Sequence, residues 1–179
     1  MQITYFVHAA TTDNENGIAT GWDDGELSEL GIKQSQELAD VLKDQKFDLV
    51  VCSDLKRAVQ TAEIAFGDKF LTLQDKSLRG VNYGQFNGKP KENVEPLERW
   101  IDKPFPGGES YRDVEKRIRE LLNELAQKYQ DKKIAFVAHQ APQLALEVIV
   151  NHKTWDQAIA TDWRKTASWQ AGWEYKIRT

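Results

Sequence analysis

Apolar residues along this chain come in short solid runs, separated by longer stretches with helical spacing. Ile3 to Val7 (ITYFV) is continuous rather than alternating, the pattern of a strand covered on both faces. Phe47 to Cys52 (FDLVVC) and Ile134 to Ala138 (IAFVA) read the same way. Ser28 is placed to cap a helix running to about Lys43, with Leu30, Leu38, Val41 and Leu42 toward one face. A helix from about Leu55 to Phe66 follows the second run at once, with Ser53 or Asp54 as its cap. Ser110 and Asp113 form a capping-box pattern opening a strong helix, whose apolar positions are Val114, Ile118, Leu121, Leu122, Leu125 and Tyr129. Pro142 suits the first turn of a helix through Val150. Residues 70–106, punctuated by glycine and proline, read as a long excursion with a short helix near Val94 to Ile101. In the tail, WEYKI is a last strand, and Trp155, Trp163, Trp169 and Trp173 are expected to pack the C-terminal end. Buried strands alternating with helices predict an α/β fold: a three-layer sandwich with a mostly parallel central sheet and helices on both faces.

Composition narrows this picture without changing it. At 179 residues the expectation is a single domain over 1–179, large enough to bury its own core. A net charge of -4 with no basic stripe argues against nucleic acid as a partner, yet leaves room for a small anion held by a few local cations. The single cysteine, Cys52, permits no internal disulfide and fits a reducing cytosol. No charged-then-apolar leader precedes the first strand, and no apolar run approaches the roughly 20 residues of a membrane span. The expected location is therefore cytoplasmic, with no membrane partner.

The chemistry gathers at strand ends. In open α/β sheets, ligands sit beyond the carboxyl ends of the strands. His8 lies just past the first strand, His139 just past the third, and Arg57 in the first turn of the helix leaving the second. The free N–H groups where that helix starts add positive potential at the same edge. Two imidazoles, a guanidinium and a helix N-terminus together suit an anion. His152 falls in a polar loop (NHKTW) and reads as solvated, and no zinc-ligand spacing exists, so no metal or other cofactor is expected. Two residues offer themselves as nucleophiles toward phosphorus. Cys52 opens CSDLKR, but a cysteine-phosphatase loop needs five residues before its arginine and this one has four, with Ala58 where a hydroxyl is usual. Cys52 therefore reads as a small buried hydrophobe. The better candidate is His8, whose ring nitrogen can attack phosphorus directly while His139 and Arg57 hold the phosphoryl oxygens.

These residues carry a resemblance to the histidine phosphatase superfamily, the fold shared with cofactor-dependent phosphoglycerate mutases, over nearly the whole chain. VHAATTDN aligns with the family's opening motif through His8, Thr11 and Asn14. Gly21-Trp22, Asp24, Leu27 and Gly31, after Thr20, match its second segment. SDLKRAVQTA, Ser53 to Ala62, matches its most specific signature, Gly107 to Ser110 its Gly-Gly-Glu-Ser, and FVAHQ its histidine-ended strand. The resemblance implies that His8 becomes phosphohistidine, that Arg57 and His139 hold phosphoryl oxygens, and that Thr11, Asn14, Thr20, Gly21 and Gln140 contact the substrate.

Two departures accompany the match. The arginine that the family places just before its nucleophile is Val7 here, and the following glycine is Ala9. The acidic residue expected soon after Leu-Arg is Gly80, in LRGVNYGQFNG. Losing the arginine removes a bidentate clamp on developing charge. Losing the acid removes protonation of the leaving oxygen, typically worth about 10²–10⁴ in rate. Glu109 and Glu15 are the substitutes in reach of the sequence. The expected activity is thus hydrolysis of a small phosphomonoester through His8, impaired or narrowed. The alternative is a non-catalytic phospho-ligand-binding or regulatory relative. Mutase activity is less favoured, because it needs a shielded intermediate and a working acid.

Overall fold

The computed structural model describes residues 1–168 and 170–177. Strand β1 (Gln2–Val7) leads through a one-turn helix α1 (Thr12–Glu15) and a short strand β2 (Ile18–Ala19) to helix α2 (Glu29–Leu42). Strand β3 (Leu49–Cys52) and helix α3 (Lys56–Phe66) follow, then strand β4 (Thr72–Gln74) and the brief strand β5 (Lys89–Pro90), which pairs with β2. Helix α4 (Tyr111–Lys128), strand β6 (Lys133–Ala138) and helix α5 (Gln140–Ile149) precede two short helices, α6 (Trp155–Ala160) and α7 (Trp163–Thr166), and a last strand β7 (Trp173–Lys176). The main sheet has the order β4-β3-β6-β1-β7, parallel except for β7, which runs antiparallel to β1 at one edge.

Alternation along the central strands sends side chains into two separate cores, one on each face. Ile3, Tyr5, Val51, Ile134 and Phe136 face α4, α5 and α6, whose Ile118, Leu122, Leu144 and Ile159 complete the larger core. Phe6, Val50, Cys52, Ala135 and Val137 face α2 and α3, against Leu42, Ala62 and Phe66. The three-layer sandwich expected from the alternation of elements is the fold found.

Where the pattern erred, packing explains it. On α2, Leu30 and Val41 are exposed, while Gly31, Ser35 and Leu42 are buried. A Cβ at Gly31 would stand 1.9 Å from the Ala10 carbonyl oxygen, so the helix turns its small residues inward to let the loop after β1 pass against it. The expected helix near Val94 to Ile101 is instead two 3-10 turns, Lys91–Asn93 and Leu97–Trp100. Pro96 stands between them, where its missing N–H and its ring block a continuous helix. Trp155 is buried, and Trp163 stacks on Trp173 with ring centroids 5.5 Å apart, as expected of the tail. Trp169 lies outside the described residues. The capping box of α4 forms as expected, Ser110 N–H donating to Asp113 Oδ2 and Asp113 N–H to Ser110 Oγ.

Candidate active site

Strand register builds the centre of the site. In the parallel pair β1/β6, Val7 stands opposite Ala138, so the next residues, His8 and His139, leave neighbouring strands at the same level. Strands so paired lie about 4.8 Å apart. The two imidazoles stand with centroids 4.9 Å apart, tilted by 58°.

The two rings differ in their bonding. His8 is half-buried, and its Nδ1–H donates to the Ala9 carbonyl at 2.8 Å. A carbonyl only accepts, so the proton sits on Nδ1 and the Nε2 lone pair is left free. Burial first, then the Arg57 charge, bring its pKa down to about 3, so the ring is neutral. His139 is buried and is fixed through its backbone. Tyr5 Oη donates to its carbonyl at 2.6 Å and accepts from its N–H at 3.0 Å. Both His139 ring nitrogens are buried without a partner among the described residues. Burial and then Arg57 hold its pKa well below the ordinary value. A buried polar group left open this way is costly and calls for an explanation.

Arg57 enters from the first turn of α3. Its guanidinium is buried and donates to the carbonyls of Gly21 at 2.7 Å and Asp23 at 3.2 Å. Burial pulls its pKa down to about 10, still far above neutrality. α3 begins at Lys56, with Leu55 as its N-cap residue and no side-chain cap among the described residues. Ser53 Oγ accepts only from Leu55 N–H, and Asp54 is taken by Arg79 in a bidentate ion pair at 2.6 and 2.7 Å. The capping expected of Ser53 or Asp54 is therefore absent, and the open end of α3 adds its positive potential beside Arg57.

The other predicted residues fall into place unevenly. Thr11 and Asn14 cap each other at the start of α1, and Asn14 is exposed at the surface of the segment leaving β1. Thr20 is buried and donates to Asp13 Oδ2 at 2.8 Å. Gly21 has φ +59°, and a Cβ there would strike Asn87 Oδ1 at 1.9 Å; its carbonyl is the stop for Arg57. Gln140, next to His139, turns its amide toward Asp162 rather than to the ring. Gly80 packs directly on His139, a built Cβ lying 3.5 Å from its Cβ and Cγ. Glu109 is committed elsewhere: Arg117 grips it at 3.0 and 3.1 Å, and Asn82 N–H donates to it at 2.9 Å. Glu15 accepts from Ser28 Oγ at 3.1 Å. His152 is exposed, and burial pushes the Cys52 thiol up to about 11.

Sequence reasoning missed the residues that hold the site from afar. Tyr5 looked like one more apolar strand position. Arg117, on α4, binds the carbonyls of Ser77, Arg79 and Gly80 and so pins the segment that carries Gly80. Trp22 Nε1 donates to the same Gly80 carbonyl, and Arg79 lies 4.7 Å over its ring.

The model of the histidine phosphatase superfamily (branch 1) matches residues 5–174. This chain belongs to that superfamily. It is 31% identical over 149 residues to phosphoserine phosphatase 1 of Hydrogenobacter thermophilus, covering 78% of this chain and 71% of that one. It is also 31% identical over 169 residues to a 2,3-bisphosphoglycerate-dependent phosphoglycerate mutase of Rhizobium meliloti, covering 85% and 80%. Among solved structures, the mycobacterial glucosyl-3-phosphoglycerate phosphatase in complex with VO3 matches with a TM-score of 0.77 at 29% identity. That match covers 89% of this chain and 84% of the other. Val7 is packed against the larger core, and Gly80 lies in contact distance of His139.

Proposed function

We propose that this protein hydrolyses phosphomonoesters through a phosphohistidine on His8. The observation that carries the reading is the facing pair of imidazoles, one with a free Nε2 lone pair and the other with two buried, unpartnered nitrogens. A neutral ring held by its Nδ1–H is already in the form a nucleophile needs. Nε2 attacks phosphorus, the bond from phosphorus to the ester oxygen breaks, and the leaving oxyanion takes its proton from solvent water. Water then attacks the phosphohistidine, the P–N bond breaks, and orthophosphate is released. His139 is kept neutral in the empty site, but a phosphoryl dianion between the rings favours its charged form. His139 takes up a proton from solvent as the dianion binds, and then donates a charge-assisted hydrogen bond to a phosphoryl oxygen. Arg57 contributes the fixed positive charge. Relatives named as phosphatases, one of them crystallised with VO3, support the reading.

The weak point of the site is the leaving oxygen. Glu109 is bound on both oxygens and serves as an anchor, and no hydrogen bond or ion pair links Glu15 to the histidines among the described residues. Activity is therefore narrowed toward esters whose leaving group departs without help, so p-nitrophenyl phosphate is cleaved much faster than an alkyl phosphate of similar size.

Gly80 beside His139 also favours a second reading, a phosphate-binding relative without turnover. Purified protein assayed on p-nitrophenyl phosphate, with His8→Ala and Cys52→Ser in parallel, separates the two. Hydrolysis lost with His8→Ala and retained with Cys52→Ser supports the hydrolase. An absence of any turnover, while orthophosphate still raises the melting temperature, gives the binder.

A further inference from the structure

The end of β1 lacks a cation where its own sequence places Val7, yet a cation stands near by from another part of the chain. Val7 packs against the same core as Ile3 and Tyr5, so the three share one face of β1. On the neighbouring edge strand, Trp173 pairs with Tyr5, and cross-strand partners project to the same face. Trp173 stacks on Trp163, and the Arg164 guanidinium lies 4.3 Å over the Trp163 ring. A second set of contacts reaches the same place from α5. Trp163 Nε1 donates to Gln143 at 3.1 Å, and Asp162 takes both the amide of Gln140, next to His139, and Arg164 Nη1 at 2.9 Å. Two independent chains of contacts therefore seat Arg164 beside the carboxyl ends of β1 and β6.

Of the guanidiniums around the histidines, Arg164 has the most to offer a ligand. Arg117 is fully spent on three carbonyls and Glu109, and Arg57 already binds two carbonyls. Arg164 gives Nη1 to Asp162, while its Nε and Nη2 make no hydrogen bond among the described residues. Its side chain is 27% exposed, open to a ligand, against a nearly buried Asp162 that fixes its base. After burial and Arg57, its charge adds to the lowering of the pKa of His8 and His139.

We propose that Arg164 is the second guanidinium of the phosphate site, standing over the face of β1 that Val7 leaves uncharged and closing on the phosphoryl oxygens across from Arg57. Asp162 is the positioning residue that aims it. This rests on the reading of the His8–His139 pair as a phosphate site. It makes the loss of an arginine at position 7 a relocation of charge rather than a simple loss.

The test uses orthophosphate binding by calorimetry together with kcat/KM on p-nitrophenyl phosphate. Arg164→Gln removes the charge; it is expected to weaken orthophosphate binding and lower kcat/KM by about 10-fold or more, in protein whose fold is checked by circular dichroism, since buried Asp162 loses its ion-pair partner and the urea midpoint falls. Arg164→Lys keeps the charge without the fork and falls between. Adding Val7→Arg to Arg164→Gln restores binding, an effect that a merely structural Arg164 would not give. Wild-type phosphate affinity in Arg164→Gln overturns the proposal, as does a folded double variant with no recovery. If the double variant does not fold, the Gln and Lys variants decide alone. Should His8→Ala leave turnover intact, the phosphohistidine reading falls, while the orthophosphate titrations still decide on Arg164. If neither phosphate binding nor turnover is found in the natural protein, both fall.

Discussion

Two polar clusters lie side by side above the same sheet edge, and they are built on opposite terms. Around Arg117 nearly every donor and acceptor is used: one guanidinium satisfies three carbonyls and a carboxylate, and Trp22 closes the remaining side of Gly80. Around His8 and His139 the protein leaves one ring nitrogen free to react and two buried without partners. Four buried side-chain polar atoms lack a partner among the described residues; two share the His139 ring, and Trp100 Nε1 and Tyr111 Oη supply one each. A satisfied network stiffens a fold, whereas an open one costs stability and persists where a ligand completes it. The contrast separates scaffold from chemistry more reliably than charge alone, since each cluster contains an arginine, buried Arg57 in one and half-buried Arg117 in the other.

The contrast breaks most visibly through the histidines. His8→Ala is expected to lower turnover of p-nitrophenyl phosphate by about 10³-fold or more, and His139→Ala by about 10²–10³-fold. Steady-state assay gives both numbers, and either variant within 10-fold of the natural protein would erase the distinction. Arg117→Met should do the reverse, costing about 3–5 kcal/mol in urea unfolding because Glu109 is left without its partner in a largely enclosed site. If His139→Ala destabilised the fold as much as Arg117→Met, the open cluster would be scaffold after all.

Next in size is the leaving-group effect. An added Cβ at Gly80 would sit in ordinary contact with His139, 3.5 Å from its Cβ and Cγ, so Gly80→Glu starts a carboxyl-bearing side chain beside that ring. It should speed alkyl phosphates by about 10–100-fold and leave p-nitrophenyl phosphate nearly unchanged. Equal rates on both ester types in the natural protein would mean that another group already supplies the proton.

The pH response sharpens the comparison further. His8 falls from an ordinary 6.5 to about 3, so the unfolded chain binds more protons than the native one between those values. Stability is therefore lost as pH falls from about 6.5 toward 3, and His8→Ala should flatten that limb in urea unfolding followed against pH. An unchanged limb would show that His8 is not held neutral. The smallest effect is expected from Cys52→Ser, which changes a thiol held protonated by burial and should alter kcat less than about twofold.

Much of this was legible in the sequence, for particular reasons. Continuous apolar runs fixed β1, β3 and β6, and a histidine at the end of two of them needed only the parallel register to be brought together. Arg57 was legible because SDLKRAVQTA follows a strand immediately. The scaffold cluster was not, since Arg117 lies on an amphipathic helix where an arginine normally faces water, and its partners lie up to 40 residues away. Arg164 was hidden because it lies on α7, a four-residue helix too short to carry an apolar period. The face of α2 was misjudged because hydrophobicity ranks Leu30 above Gly31, whereas the close approach of Ala10 selects the smaller residue.

The central claim is that His8 Nε2 takes the phosphoryl group, and the most direct measurement is to trap it. Protein mixed with p-nitrophenyl phosphate, quenched in alkali and mapped by peptide mass spectrometry should carry phosphate on the peptide containing His8, stable in base and lost in acid. The label should be absent from His8→Ala and present in Cys52→Ser. Label on Cys52, or turnover by a His8→Ala protein with no phosphoenzyme in the natural one, would contradict it.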